Sequence, residues 1–439
     1  MTASRLRILV LIQGELGENI AGPAVRGWEM SRVFAERHQV TAATPNPPAD
    51  ALDEVRLVPF RRRSILREAL RNDVVIAPAL PPYLLTALQG LRTLTVADQF
   101  GPVELEQATL GDDAHVAHQV ELQRTMRRLQ LRFADVIVSA NDAQRERLTG
   151  ELAGVRNRPV QLVTVPFGLP KPPPRAAATP LRDAFAGVKR DDFVILWWGS
   201  IWRWLDAGTA LRAFARVGEH RPQAKLILPA GEAPNARSEI CATTDEARRL
   251  AEDLGLLDRS VFFMREWIPY DQRHACLQDA DLGLVLHRDT PEAKIAARSR
   301  YMDYLWCGVP CVLARGDEVA RRFGDKGFAS IVPPRDVTAA ANALATLIDD
   351  RTALEAARAS APALADEYRW PALIQPLIDV IEEASTSLRR SRWTGGPGRA
   401  SASYYGKQLA DRLVVRRRQP AMRRSETSFQ HVAASRTRL

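Results

Sequence analysis

Short apolar runs alternate with longer amphipathic stretches along most of the chain. Runs at Leu6–Ile12, Gln39–Ala43, Val55–Val58, Val74–Ile76, Thr93–Val96, Val136–Val138 and Leu162–Val165 have strand length and composition. Between them, Pro23–Glu36, Ser64–Arg71, Pro102–Phe133 and Asn141–Thr149 carry helical periodicity. Pro166 to Lys189 breaks the alternation with six prolines and an alanine-rich stretch. Proline at that density builds neither helix nor central strand, so this segment reads as a linker. The alternation then restarts. Phe193–Trp197, Lys225–Leu228, Val261–Phe263, Leu282–Leu286, Cys311–Leu313 and Ile331–Val332 are predicted strands. Leu205–Val217, Ala236–Leu254, Asp271–Asp279, Ala296–Cys307 and Val337–Asp349 are predicted helices. The pattern predicts an α/β protein with two doubly wound, Rossmann-like domains facing a central cleft. The expected units are a first Rossmann-like domain over 1–166, a linker over 167–190 and a second Rossmann-like domain over 191–363. A last helix is expected over 364–388, and a basic tail covers 389–439.

At 439 residues with 46% hydrophobic side chains, the chain has material for more than one core. No apolar stretch approaches the roughly 18 residues of a membrane span. The apolar run ending at Ile12 is too short for a signal-peptide core and reads as a first strand. Cys241, Cys276, Cys307 and Cys311 show neither disulfide-framework nor CxxC spacing, so reduced thiols and a cytoplasmic location are expected. The net charge of +9 is unevenly distributed. From Leu388 onward there are 13 Lys or Arg against Asp411 and Glu426, which leaves 48 basic and 50 acidic residues in the body. The basicity therefore belongs to the tail, whose composition predicts disorder. Tyr405, Leu409 and Leu413 recur there at helical spacing among arginines, as a solvated tail or as a helix on an anionic membrane. An arginine tail also raises nucleic-acid binding, which the near-neutral body disfavours, and no specific nucleic acid is expected.

Three segments carry candidate chemistry. After the first strand, Gly14, Gly17 and Gly22 precede Pro23 at a helix start, as an anion-binding turn or a plain βα turn. After the first strand of the second array, Gly199 and Ser200 offer backbone and hydroxyl donors to a phosphate. The stretch Glu292 to Pro310 places Lys294, Arg298 and Arg300 near a helix start, with Asp303 one turn further. Cations there suit a diphosphate and Asp303 suits a ribose hydroxyl, although an Arg300–Asp303 surface ion pair gives the same spacing.

These segments resemble family 4 of the retaining GT-B glycosyltransferases. The resemblance rests on Gly22-Pro23-Ala24-Val25-Arg26, Gly199-Ser200, the Glu292–Pro310 stretch and Asp317, and runs from about Arg7 to Ala384. It implies an acceptor bound by the first domain, a donor bound mainly by the second, a last helix that crosses back onto the first, and no metal or other cofactor. It also implies sugar transfer from a nucleotide-diphosphate sugar with retention. The family signature, Glu-x7-Glu before Gly-x-Pro, places its second acid on Asp303, the implied ribose ligand, and its first on Ile295. Glu292 is the candidate replacement. The family's phosphate-binding Arg and Lys fall on Ser200 and Leu205, so the resemblance is to a divergent branch, with Arg298 and Arg300 facing the diphosphate. His287 is a further donor-side candidate. Trp267 and Ile268 fall where the family's nucleobase rests against backbone. Asp98 ends a first-domain strand and is the expected acceptor-side or catalytic group, with helix N-capping as its other reading.

Arg61, Arg62, Arg63, Arg67 and Arg71 bracket Ile65, Leu66 and Leu70. A basic, partly apolar helix on the acceptor domain suits a lipid-linked acceptor at the inner face of the cell membrane, and also suits a solvated face. The competing functions are a sugar-nucleotide epimerase or hydrolase and a catalytically inactive binding subunit.

Overall fold

A computed structural model describes residues 5–18, 20–47, 54–89, 91, 93–156, 160–229, 238–264 and 266–387. The basic tail and its amphipathic patch lie outside the described residues. In the amino-terminal lobe the chain runs β1 (Arg7–Leu11), α1 (Gly22–Ala35), β2 (Gln39–Thr44), β3 (Arg56–Pro59), α2 (Arg62–Arg71), β4 (Val74–Ala77) and α3 (Pro82–Leu88). It continues β5 (Leu94–Asp98), α4 (Val103–Ala108), α5 (Ala114–Phe133), β6 (Val136–Ser139), α6 (Asp142–Val155) and β7 (Gln161–Thr164). The carboxy-terminal lobe runs α7 (Pro180–Asp183), β8 (Phe193–Leu196), α8 (Ala207–Gly218), β9 (Ala224–Pro229), α9 (Ser238–Asp253), β10 (Val261–Met264), α10 (Arg273–Gln278) and β11 (Leu282–Val285). There follow α11 (Pro291–Ile295), α12 (Ser299–Cys307), β12 (Cys311–Ala314), α13 (Glu318–Asp325), β13 (Ala329–Val332), α14 (Val337–Asp349), α15 (Arg351–Glu367) and α16 (Trp370–Ser387).

The strands form two parallel sheets, ordered β3-β2-β1-β4-β5-β6-β7 and β10-β9-β8-β11-β12-β13. β4, β6, β11 and β12 are buried at every position, as expected of strands covered by helices on both faces. The strand order reverses beside β1 and β4 in one lobe and beside β8 and β11 in the other. Those switch points put the β1–α1 and β8–α8 loops at the ligand-binding edges of their sheets.

Local chemistry explains where the elements depart from the pattern. The predicted Pro102–Phe133 helix is two helices. Gly111 adopts a φ of 156°, and the Asp113 side chain then accepts from the amides of His115 and Val116 to start α5 anew. The predicted Ala296–Cys307 helix starts later, because Ala296 and Arg298 are extended. Five helices escaped the periodicity reading, among them the short α7 on Pro180 and α11 on Pro291. α3 starts on Pro82, α13 is capped by Asp317, and α15 carries Pro362 in its interior. α15 runs through the expected boundary at 363, and the chain turns at Tyr368 and Arg369 instead.

α16 leaves the carboxy-terminal lobe and packs on α1, β5 and β7. Its Trp370 is buried, faces the Phe167 ring at 5.6 Å and lies so close to Gly168 that an added Cβ would approach within 2.5 Å of the indole. The proline-rich linker is fastened to the carboxy-terminal lobe: Gln278 Nε2 donates to Pro174 O, and the amide of Leu181 donates to Asp279.

Where α1, β5, the linker and α16 meet lies Arg26, with no solvent exposure. Its Nε and Nη2 donate to the Asp98 carboxylate at 2.7 and 2.9 Å. Its remaining donors reach Val165 O and Pro166 O, and the guanidinium lies 5.1 Å from the Phe100 ring centroid and 5.8 Å from that of Trp370. Removing one partner of such a pair strands a buried charge. Asp98→Ala is therefore expected to cost about 3–5 kcal/mol of stability by urea unfolding. A loss well below 1 kcal/mol would show that the pair does not hold this junction.

Candidate functional site

The β8–α8 loop and the segment after β11 are joined above the sheet. Leu205 and His287 form an antiparallel bridge, with Arg288 N donating to Trp204 O and Asp206 N to Leu286 O. Gly199 in this loop has a φ of 77°, which a residue with a side chain rarely adopts. The conformation turns the carbonyls of Trp198 and Ser200 toward the Arg300 guanidinium, which donates to both at 2.9 and 3.1 Å. The loop expected to donate to phosphate therefore also holds a cation. Burial pulls the Arg300 pKa down to about 10, aided by the Arg298 charge, and it remains protonated at neutral pH.

Asp303 lies one turn further along α12. Its Oδ2 accepts from Trp198 Nε1 at 3.0 Å and its Oδ1 from Arg273 Nε at 3.3 Å, while the side chain stays 26% exposed. Burial raises its pKa, and Arg273 opposes that rise. Tyr304 joins the helix to the sheet by donating to Leu196 O and accepting from Trp198 N.

The other lobe approaches this surface directly. A Cβ on Gly22, at the start of α1, would sit 3.0 Å from Ser299 Oγ at the start of α12. Tyr270 N donates to Glu18 O, fastening the segment that carries Trp267 and Ile268 to the β1–α1 loop. Both of those side chains are half-buried, and the Trp267 indole N–H has no acceptor among the described residues. Asn141 Nδ2 reaches the carbonyls of Ile295 and Ala296, and Gln144 Nε2 reaches Ile295 O at 2.7 Å. Asp142 N donates to Glu318 Oε2. Thus Gly22, Gly199, Ser200, Trp267, Ile268, Arg300 and Asp303 gather where the lobes meet.

Four expected site residues, Arg298, Glu292, Asp98 and His287, are enclosed within a lobe. Arg298, with a side chain 4% exposed, donates to Glu292 at 3.0 Å and lies 3.5 Å from Asp317. Burial opposes its charge, but those two carboxylates more than restore it. Arg298 is thereby neutralised inside the lobe, and no diphosphate reaches it. Glu292, 1% exposed, is committed to Arg298 and cannot stand in for the missing acid at Ile295. Asp98 is enclosed by Arg26 and neither meets an acceptor nor caps a helix, since α4 starts from Pro102. Lys294 is exposed on α11, the short helix that packs against α4 and α6 of the other lobe, and makes no ion pair with a described residue. At the two divergent positions, Leu205 is buried and Ile295 offers its carbonyl to the other lobe.

His287 is fully buried beneath Gly316, with Nδ1 3.0 Å from Arg288 O and Nε2 4.0 Å from Asp317. It belongs to the Glu292–Arg298–Asp317 cluster, not to an exposed surface. Asn141, Gln144 and Arg273 were missed by the sequence reading. The only signal for the first two was the cap before α6, where Asn141 accepts from Gln144 N. Among the described residues no three His, Cys, Asp or Glu side chains are grouped to hold a metal ion.

The architecture is that of the GT-B fold, two Rossmann-like lobes with a cleft between them. No protein-family model and no curated protein sequence matches the chain. Solved structures do. HepE (Alr3699) of Anabaena in complex with UDP-glucose matches with a TM-score of 0.63 at 16% identity, over 88% of this chain and all of that one. WaaG, a glycosyltransferase involved in lipopolysaccharide biosynthesis, matches with a TM-score of 0.62 at 15% identity, over 85% and 99% of the chains. A UDP-forming α,α-trehalose-phosphate synthase from Burkholderia vietnamiensis matches with a TM-score of 0.64 at 13% identity, over 86% and 99%.

Burial pushes the His287 pKa down to about 4, with the Arg298 charge acting the same way. A group whose folded pKa lies below its unfolded value of about 6.5 stabilises above that value and loses the contribution as pH falls. Asp317, pushed up to about 6 by burial, has the opposite sign and loses its contribution as pH rises. His287→Gln is therefore expected to lose about 1–2 kcal/mol less stability than wild type between pH 7 and pH 5, by urea unfolding at each pH. Equal losses would show that His287 protonates freely in the fold.

Proposed function

We propose that the chain is a glycosyltransferase that moves a sugar from a nucleoside-diphosphate sugar onto a lipid-linked glycan, with retention. The observation that carries this is the crevice itself. Arg300, aimed by two loop carbonyls, stands with Asp303 beside the facing helix starts of Gly22 and Ser299. A leaving diphosphate needs positive charge fixed before the reaction, and a guanidinium with free N–H groups beside helix N-termini supplies it. Asp303 retains acceptor capacity for ribose hydroxyls. The half-buried backbone around Trp267 and Ile268 takes the base. Gly199 lets the pyrophosphate approach the backbone closely, and the Ser200 hydroxyl donates to it. Retention follows from the family resemblance, with a donor phosphate oxygen taking the acceptor proton. The enclosed Asp98, Glu292 and Arg298 are assigned to holding the lobes and α12 in place. The likeness in fold to a protein solved with UDP-glucose and to a glycosyltransferase supports a nucleotide-sugar donor.

The acceptor surface is assigned to α2. Arg67 and Arg71 are exposed on it, Leu70 is 52% exposed, and Phe60 precedes the helix at 36%. Exposed apolar side chains among arginines suit an anionic bilayer, which brings a lipid-linked acceptor to the cleft. No helix among the described residues is long and apolar enough to cross a membrane.

Incubation with a panel of nucleotide sugars, with and without lipid-linked acceptors, tests the reaction. Donor consumption that requires acceptor supports transfer; consumption by the protein alone indicates a hydrolase or epimerase; binding without turnover indicates an inactive subunit. Arg300→Ala is expected to lower turnover about 10²–10³-fold, the scale for one charge-stabilising donor, and wild-type turnover would remove Arg300 from the mechanism. In vesicle co-sedimentation, Arg67→Gln/Arg71→Gln is expected to weaken binding to phosphatidylglycerol vesicles at least tenfold, at about 1 kcal/mol per arginine. Unchanged sedimentation would place the membrane contact elsewhere.

A further inference from the structure

Arg273 is 7% exposed, an unusual place for a guanidinium. Its Cζ lies 3.6 Å from the Tyr270 ring centroid and 4.1 Å from that of Trp306. Nη1 donates to Tyr270 O at 2.7 Å, and Nε points at Asp303 Oδ1. Each of the two residues is tied to a distant segment, Trp306 through its ring and Tyr270 through its backbone. Trp306 Nε1 donates to Lys171 O in the interlobe linker at 2.7 Å. Tyr270 N donates to Glu18 O of the amino-terminal lobe at 3.1 Å. A planar cation between two aromatic rings has little rotational freedom, and lysine offers no such planar stack.

We infer that Arg273 is a positioning residue. Clamped between Tyr270 and Trp306, it fixes the Asp303 carboxylate so that its exposed edge accepts a vicinal pair of sugar hydroxyls. This rests on the reading of Asp303 as the ribose ligand and adds how its geometry is enforced. Trp198 Nε1 occupies one carboxylate oxygen and Arg273 the other. The rotamer is thereby set from both sides, and each oxygen keeps a lone pair for a ligand. The clamp also reaches the linker through Trp306 and the other lobe through Tyr270. The Asp303 orientation is therefore tied to the relative placement of the lobes.

The test uses the full chain and calorimetric titration with UDP, GDP and ADP and their 2′,3′-dideoxy counterparts. The wild type is expected to bind a ribonucleotide about 10- to 100-fold more tightly than its dideoxy form, as for hydrogen bonds to a charged group. Arg273→Gln is expected to reduce that preference to less than about threefold through weaker ribonucleotide binding, with dideoxy affinity unchanged. Asp303→Asn with Arg273→Gln is expected to bind no more weakly than Asp303→Asn alone. Trp306→Leu removes one face of the clamp and is expected to shift the preference in the same direction, which keeps the test valid if Arg273→Gln does not fold. Full preference retained in both folded variants, or equal weakening of both ligands, overturns the positioning role while leaving Asp303 as the ribose ligand. A wild type with no preference, or one that binds none of the nucleotides, overturns the Asp303 reading and the positioning role with it.

Discussion

The buried pairing of Arg26 with Asp98 is the constraint around which the two lobes are arranged. A guanidinium without water must have its donors satisfied by protein; here two parts of the chain satisfy them and a third lies against its face. β5 supplies the carboxylate, and the exit from β7 into the linker supplies two carbonyls. α16 supplies the Trp370 face. The cost of leaving any of these unmade fixes where the linker starts and how the last helix returns.

A second consequence concerns charge. Several acidic and basic residues suited to chemistry by type are paired internally. Arg298 lies between Glu292 and Asp317, and Arg182 between Asp279 and Asp281. Charges removed from water in this way order the backbone around them and are closed to a ligand. Arg300 differs because it donates to the carbonyl oxygens of Trp198 and Ser200, so its charge is oriented without being neutralised. That difference in partner separates the two neighbouring arginines more clearly than sequence position does.

The lobes also meet through backbone. Asn141 and Gln144 hold the carbonyls of Ile295 and Ala296, and Tyr270 holds that of Glu18. Main-chain contacts of this kind do not depend on which side chain occupies the position. Ile295 therefore serves at the junction through its carbonyl, with no demand on its side chain.

Period and composition alone were enough for the two βα arrays, the linker between them and the glycine-bearing turns at Gly22 and Gly199. Parallel strands buried on both faces must be apolar throughout, and their helices must be amphipathic, so both leave a one-dimensional record. The same record named Arg300 and Asp303 through a local motif on one helix. It was silent on Arg273, 30 residues away in sequence, and on Asn141, more than 150 residues from the carbonyls it holds. It also presented Arg298 and Asp98 as available when both are enclosed. Whether a charged side chain meets a partner or a crevice depends on which distant segments pack against it, and only the tertiary structure decides that.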